Sequence, residues 1–129
     1  MKILLDTCAL IWLVSDPSQL SATASALIEE NADEIFVSTI SAFEVALLEK
    51  QQRIKLPTPM PQWFAKTIFD GPLQETPLTS EIATLAVSLP DIHQDPCDRL
   101  LIATAIHGEF LFLTPDKTVW WYPELEVTW

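Results

Sequence analysis

The chain has 129 residues, 49% of them hydrophobic, and carries five tryptophans, one tyrosine and six phenylalanines. That composition suits one folded domain spanning residues 1–129 and excludes intrinsic disorder; no apolar run approaches the roughly 18 residues of a spanning helix, and Asp6 interrupts the N-terminal run too early for a signal peptide. A net charge of −11 repels nucleic acid at long range, so any action on nucleic acid needs cations or a local basic patch.

In chain order, Lys2-Ile3-Leu4-Leu5 is a short apolar run ending at Asp6 and predicts a buried parallel strand. Ala9 to Val14 predicts a helix broken by Asp16-Pro17. Ser21 is the expected N-cap of a helix to about Ala32, with Ala24, Leu27 and Ile28 facing inward. Glu34 to Ser38 predicts a second strand, and Ser41 to Gln51 a helix. Three prolines make Leu56–Pro61 a loop, before a helix from Trp63 to Phe69. Glu75 to Leu78 predicts a weak third strand. A helix from Thr79 or Ser80 to about Leu89 follows, then a loop to Pro96. Asp98 to His107 is the clearest helix, with Gly108 expected at its C′ position. Phe110 to Leu113 predicts a fourth strand, and Glu126 to Thr128 a short last one.

Alternating strands and helices predict an α/β fold, a parallel sheet covered on both faces. In such sheets the working site lies beyond the carboxyl ends of the strands. Four acids point to that edge: Asp6 after strand one, Glu44 early in the helix after strand two, Asp98 opening the helix before strand four, and Asp116 after strand four. Each also has a structural explanation. Asp6 suits a helix cap, Ser41-Ala42-Phe43-Glu44 a capping box, Asp95-Pro96-Cys97-Asp98 a helix N-terminus, and Asp116 an Asx turn. Gathered together, four carboxylates repel one another unless a cation is present. Hard oxygen donors favour Mg²⁺ or Mn²⁺ over zinc, and such ions serve phosphodiester hydrolysis. Two cysteines, Cys8 and Cys97, without a CxxC argue against a disulfide scaffold or structural zinc and for a reducing, cytoplasmic setting. Two glycines, Gly71 and Gly108, exclude glycine-rich phosphate loops.

Leu4-Leu5-Asp6-Thr7, Ser41-Ala42-Phe43-Glu44, the stretch His93 to Ala103 and Leu113-Thr114-Pro115-Asp116 together resemble the PIN-domain nucleases, and more narrowly the VapC-like toxins of prokaryotic toxin–antitoxin modules. The resemblance implies a three-layer α/β/α PIN-like domain with a central parallel sheet. It also implies a divalent-metal-dependent RNase, a cognate antitoxin, and Asp6, Glu44, Asp98 and Asp116 as the acidic quartet. Cys8 and Cys97 replace a frequent serine and phenylalanine without removing an acid. A homodimer that binds RNA and no membrane is the expected state.

Asp6 and Asp98 are the expected direct metal ligands, being short carboxylates on rigid elements. Glu44 and Asp116 are expected to bind metal or to orient water. Thr7 and Thr114 are candidates for hydrogen bonds to these acids, and Arg99 for a carboxylate, a phosphate or an intrahelical ion pair. A loop histidine such as His93 is more often solvated than at the scissile bond. His107 reads as a partner of a helix C-terminus. The cysteines read as small buried residues. Lys50, Arg53 and Lys55 form the one dense basic cluster, either touching RNA at the rim or closing a solvated helix end. The tryptophans read more readily as core than as base-stacking platforms, with Trp12 and Trp63 candidates for a protein interface.

Two catalytic alternatives fail on sequence. A receiver domain needs an Asp after the third strand, where Thr76-Pro77-Leu78-Thr79 stands, and a D-x-D-x-T phosphohydrolase fails because Thr7-Cys8 follows Asp6. The remaining alternative is a catalytically silent PIN-like module acting through protein partners.

Overall fold

The computed structural model describes residues 1–129. Strand β1 (Ile3–Leu5) is buried at every position, which is why it is apolar on both faces. It lies between β2 (Ile35–Ser38) and β4 (Leu111–Leu113), with β3 (Gln74–Thr76) and β5 (Glu126–Thr128) outermost. The order is β3-β2-β1-β4-β5, and every pairing is parallel. Leu5 stands level with Val37 and Leu113. The next residues, Asp6, Ser38 and Thr114, therefore emerge side by side at one edge.

Alternation along the strands splits the core in two. Ile3, Leu5, Ile35, Val37 and Leu113 join side chains from α1 (Thr7–Ser15), α2 (Ala22–Glu30), α3 (Thr39–Lys50) and α4 (Gln62–Asp70). Leu4 and Phe112 face the opposite way, onto α5 (Ser80–Ser88) and α6 (Pro96–His107). This is the expected three-layer α/β/α arrangement. No helix is long and apolar enough to cross a membrane.

Local signals set most boundaries. The Ser21 hydroxyl accepts from Ala24 N–H at 2.9 Å, Thr79 caps α5, and Asp95 with Pro96 opens α6. Two expectations are corrected. Helix α3 starts at Thr39 because Ser38, not Ser41, is the cap, accepting from Ile40 N–H at 3.1 Å. The left-handed residue after α6 is Glu109 (φ 54°), not Gly108 (φ −90°). Gly108 is needed for space instead: a Cβ there would lie 2.2 Å from the Phe110 ring.

Candidate active site

Asp6 is both cap and site residue. Its extended backbone ends β1 and starts α1, and Oδ1 accepts from Cys8 N–H at 2.8 Å. Its other oxygen, Oδ2, accepts a short hydrogen bond from the Thr114 hydroxyl at the end of β4. Burial raises the Asp6 pKa above its ordinary value and the charge of Asp116 adds to this, against the opposing bonds from Thr114 and Cys8.

Glu44 sits in the second turn of α3. With Ser38 as the cap, the expected capping box does not form, and Glu44 is free of any helix-end duty. Its Oε1 accepts from the Thr7 hydroxyl at 2.6 Å, and Thr7 also meets the buried Ser41 hydroxyl at 2.9 Å. Burial, then the neighbouring Asp6, Asp98 and Asp95, push Glu44 up to about 6 despite the Thr7 bond. Asp98 occupies the third position of α6. Burial raises its pKa, followed by Asp95, Asp6 and Asp116, with His93 opposing.

Asp116 is built differently. It caps the 3₁₀ turn Lys117–Trp121, with Oδ1 accepting from Thr118 N–H at 2.9 Å and from its hydroxyl at 2.6 Å. Oδ2 lies 3.2 Å from His93 Nε2, and the Thr114 hydroxyl accepts from Asp116 N–H. Partial burial raises this acid, but the bonds from Thr118 and His93 outweigh it and lower the pKa. The His93 side chain is 10% exposed. Its Nδ1 is 3.0 Å from the Tyr122 hydroxyl, and the rings stack at 5.6 Å. His93 is thus a fixed member of the site, not a solvated loop residue.

Thr114 binds both Asp6 and the Asp116 amide, and Thr7, next to Asp6, binds Glu44, so these acids share one edge. Desolvation, then Asp6, Glu44, Asp98 and Asp116, push the Cys8 thiol up to about 11. Cys8 is exposed rather than buried, and Cys97, also raised to about 11, is half-buried. No lysine or arginine forms an ion pair with any of these acids. The side chains as they stand do not group three metal-type donors around one point. The donor chemistry nevertheless suits a hard divalent cation. Several oxygens carry negative charge, three of the four acids hold protons more tightly than usual, and no lysine or arginine neutralises them.

Thr7 and Thr114 hold the expected acids. Arg99 does not approach a carboxylate. Its guanidinium donates to five backbone carbonyls: Ala86, Val87, Leu89, Pro90 and His93. It closes the C-terminus of α5 and fixes the loop that carries His93. Lys50 ends α3, and exposed Arg53 and Lys55 follow at the helix end remote from the strand edge. Trp63 is 4% exposed and packs in the core, while Trp12 packs on Trp129 at 5.8 Å between ring centres. Trp120 and Trp121, in contrast, are exposed. Sequence reasoning missed the Ser41–Thr7 and Tyr122–His93 contacts, which span 34 and 29 residues without a local motif, and did not single out Thr118, two residues after Asp116. Asp95, read only as a cap, adds a fifth negative charge.

The chain belongs to the PIN-domain family, whose model matches residues 3–119. Among its relatives, ribonuclease VapC22 of Mycobacterium tuberculosis is 38% identical over 116 residues, covering 89% of this chain and 87% of that protein. The fold also matches solved structures at lower identity. VapBC2 of Rickettsia felis bound to a promoter DNA fragment gives a TM-score of 0.71 at 15% identity, covering 99% of this chain and 98% of that one. A toxin–antitoxin complex from Klebsiella pneumoniae gives 0.69 at 20% identity, with coverage of 99% and 97%.

Proposed function

We propose that this chain is a cytoplasmic, divalent-metal-dependent endoribonuclease, the toxin of a toxin–antitoxin module, acting as one domain over residues 1–129. The observation that carries the reading is the shared strand edge, where the Thr114 hydroxyl binds the Asp6 carboxylate and the Asp116 amide while Thr7, next to Asp6, binds Glu44. The VapC22 relationship supports the same substrate class.

Asp6 and Asp98 would hold Mg²⁺ or Mn²⁺. Bound there, the ion supplies Lewis acidity toward a phosphoryl oxygen and makes water more acidic. Thr114 and the Cys8 amide fix Asp6, so its carboxylate is oriented before substrate arrives. Glu44, held by Thr7 and raised to about 6, would orient the attacking water and accept its proton, while Asp116, held in its charged form by Thr118 and His93, would orient that water. The water oxygen would form a new bond to phosphorus as the bond to the leaving ribose oxygen breaks, and that oxygen would take up a proton from solvent.

A cognate antitoxin would restrain this activity. A cavity of about 430 Å³ among α1, α2 and α4, lined by Leu13, Val14, Ile28, Trp63 and Leu73, suits an apolar segment of such a partner. An arginine from it would neutralise the acid edge bidentately. Incubation of the purified chain with RNA tests the nuclease reading. Cleavage is expected with Mg²⁺ or Mn²⁺ and not in EDTA, and equal cleavage in both overturns it.

A further inference from the structure

The 3₁₀ turn after Asp116 carries two indole rings that the fold does not use. Val119 and Tyr122, three residues apart, are 3% and 2% exposed and anchor the turn in the core. Between them Trp120 is 57% and Trp121 75% exposed. With three residues per turn, side chains at i and i+3 are eclipsed. Trp121 therefore follows the row of Thr118, whose hydroxyl bonds Asp116 and His93. Trp120 follows the row of the exposed Lys117.

The surface thus continues the acid edge outward and pairs aromatic area with a cation. The chain's net charge of −11 opposes phosphate binding, and its basic cluster lies beyond the far end of α3. Contacts that ignore charge would add to whatever a bound cation supplies at this edge, and base–indole stacking is such a contact. The position is also rigid: Asp116 caps the turn, Tyr122 ends it, and Tyr122 is bonded to His93. Little ordering entropy is then lost on binding.

We propose that Trp120 and Trp121 form a stacking platform for bases of single-stranded RNA beside the cleavage site, with Lys117 meeting an adjacent phosphate. This rests on the nuclease reading of the acid edge, and the test separates the two. Binding of a short end-labelled single-stranded RNA is followed by anisotropy in EDTA, and cleavage of the same RNA in Mn²⁺. Trp120→Ala/Trp121→Ala should weaken binding about tenfold or more, with the loss in cleavage falling more on KM than on kcat. Trp120→Phe/Trp121→Phe should recover most of it, and a melting curve confirms that each variant folds. Abasic sites in the RNA should weaken binding to the wild type but add little to the alanine variant's loss. Wild-type affinity in the alanine variant, or equal abasic losses in both proteins, overturns the platform. So does a loss confined to binding of a protein partner, which would mark the surface as a protein-docking site. Base-dependent binding without cleavage in Mn²⁺ keeps the platform and overturns the nuclease reading.

Discussion

Asp6 and Asp116 follow adjacent parallel strands, yet their environments drive them in opposite directions. Around Asp6, burial dominates, and two hydrogen bonds do not restore the ordinary pKa. Glu44 shares this inner setting, held by the Thr7–Ser41 hydroxyl pair. Around Asp116, bonds from Thr118 and His93 dominate, so the outer acid is secured in its charged form by the protein itself. The inner acids are therefore the ones that stand to gain from a cation. The same carboxylate group serves both halves, and what differs is whether desolvation or hydrogen bonding is the larger effect.

The largest effect should come from breaking the inner half. Asp6→Asn keeps shape and removes charge, and RNA cleavage in Mn²⁺ should fall at least about 100-fold. A loss smaller than that of Asp116→Asn would reverse the proposed division of labour.

Next comes the coupling of metal and pH to stability. A hundredfold excess of Mg²⁺ or Mn²⁺ over its Kd should stabilise the fold by about 2.7 kcal/mol, read from melting curves. Glu44 rises from an ordinary 4.5 to about 6 in the fold. A raised carboxylate contributes stability below its unfolded value and loses it as pH climbs through the folded one. Metal-free protein should accordingly melt lower at pH 7 than at about pH 5, the difference shrinking when metal is added. Asp116 has the reverse sign, its contribution being lost only in acid below its ordinary 3.8. A metal-free melting temperature that rises with pH across this window would contradict the inner-half assignment.

Arg99 tests what supports the outer half. Arg99→Met removes the donors from five carbonyls, including that of His93, and should cost about 2 kcal/mol in denaturant unfolding. Cleavage by the folded protein should suffer less than in Asp6→Asn. The smallest change is Tyr122→Phe, which removes the hydroxyl bonded to His93. A loss of about 1 kcal/mol is expected, with the metal-induced rise in melting temperature unchanged.

The inner half is also the more legible in the sequence. Asp6 and Thr7 stand at a visible strand-to-helix junction, and Thr114 ends an apolar run, so their meeting follows from parallel order. Glu44 is legible as an edge acid even though its expected cap is the wrong serine. Ser38 and Ser41 are equally good caps locally, and the pairing of Ser38 with Thr76 in β3 carries the strand through Ser38. The outer half is harder to read because it is built from loops. Nothing near His93 reports that Tyr122, 29 residues later, lies beneath it. Arg99 carries a charge that suggests an acid partner, whereas the unpaired carbonyls at the end of α5 are the ones it meets. Exposure of Trp120 and Trp121 depends on Val119 and Tyr122 taking the inward positions of a tight turn, which an apolar run does not reveal.

The Thr114–Asp6 hydrogen bond joins residues 108 positions apart. A contact of that span closes only after most of the chain exists, and its loop must be closed before the bond can form. During synthesis, a growing chain that has reached α5 contains Asp6 and Glu44 but neither Asp98, Asp116 nor the hydroxyl that orients Asp6. Completion of the acid edge is therefore a late event in the life of each molecule. Any cut that removes β4 and the residues beyond it leaves the amino-terminal acids without the remainder of the machine.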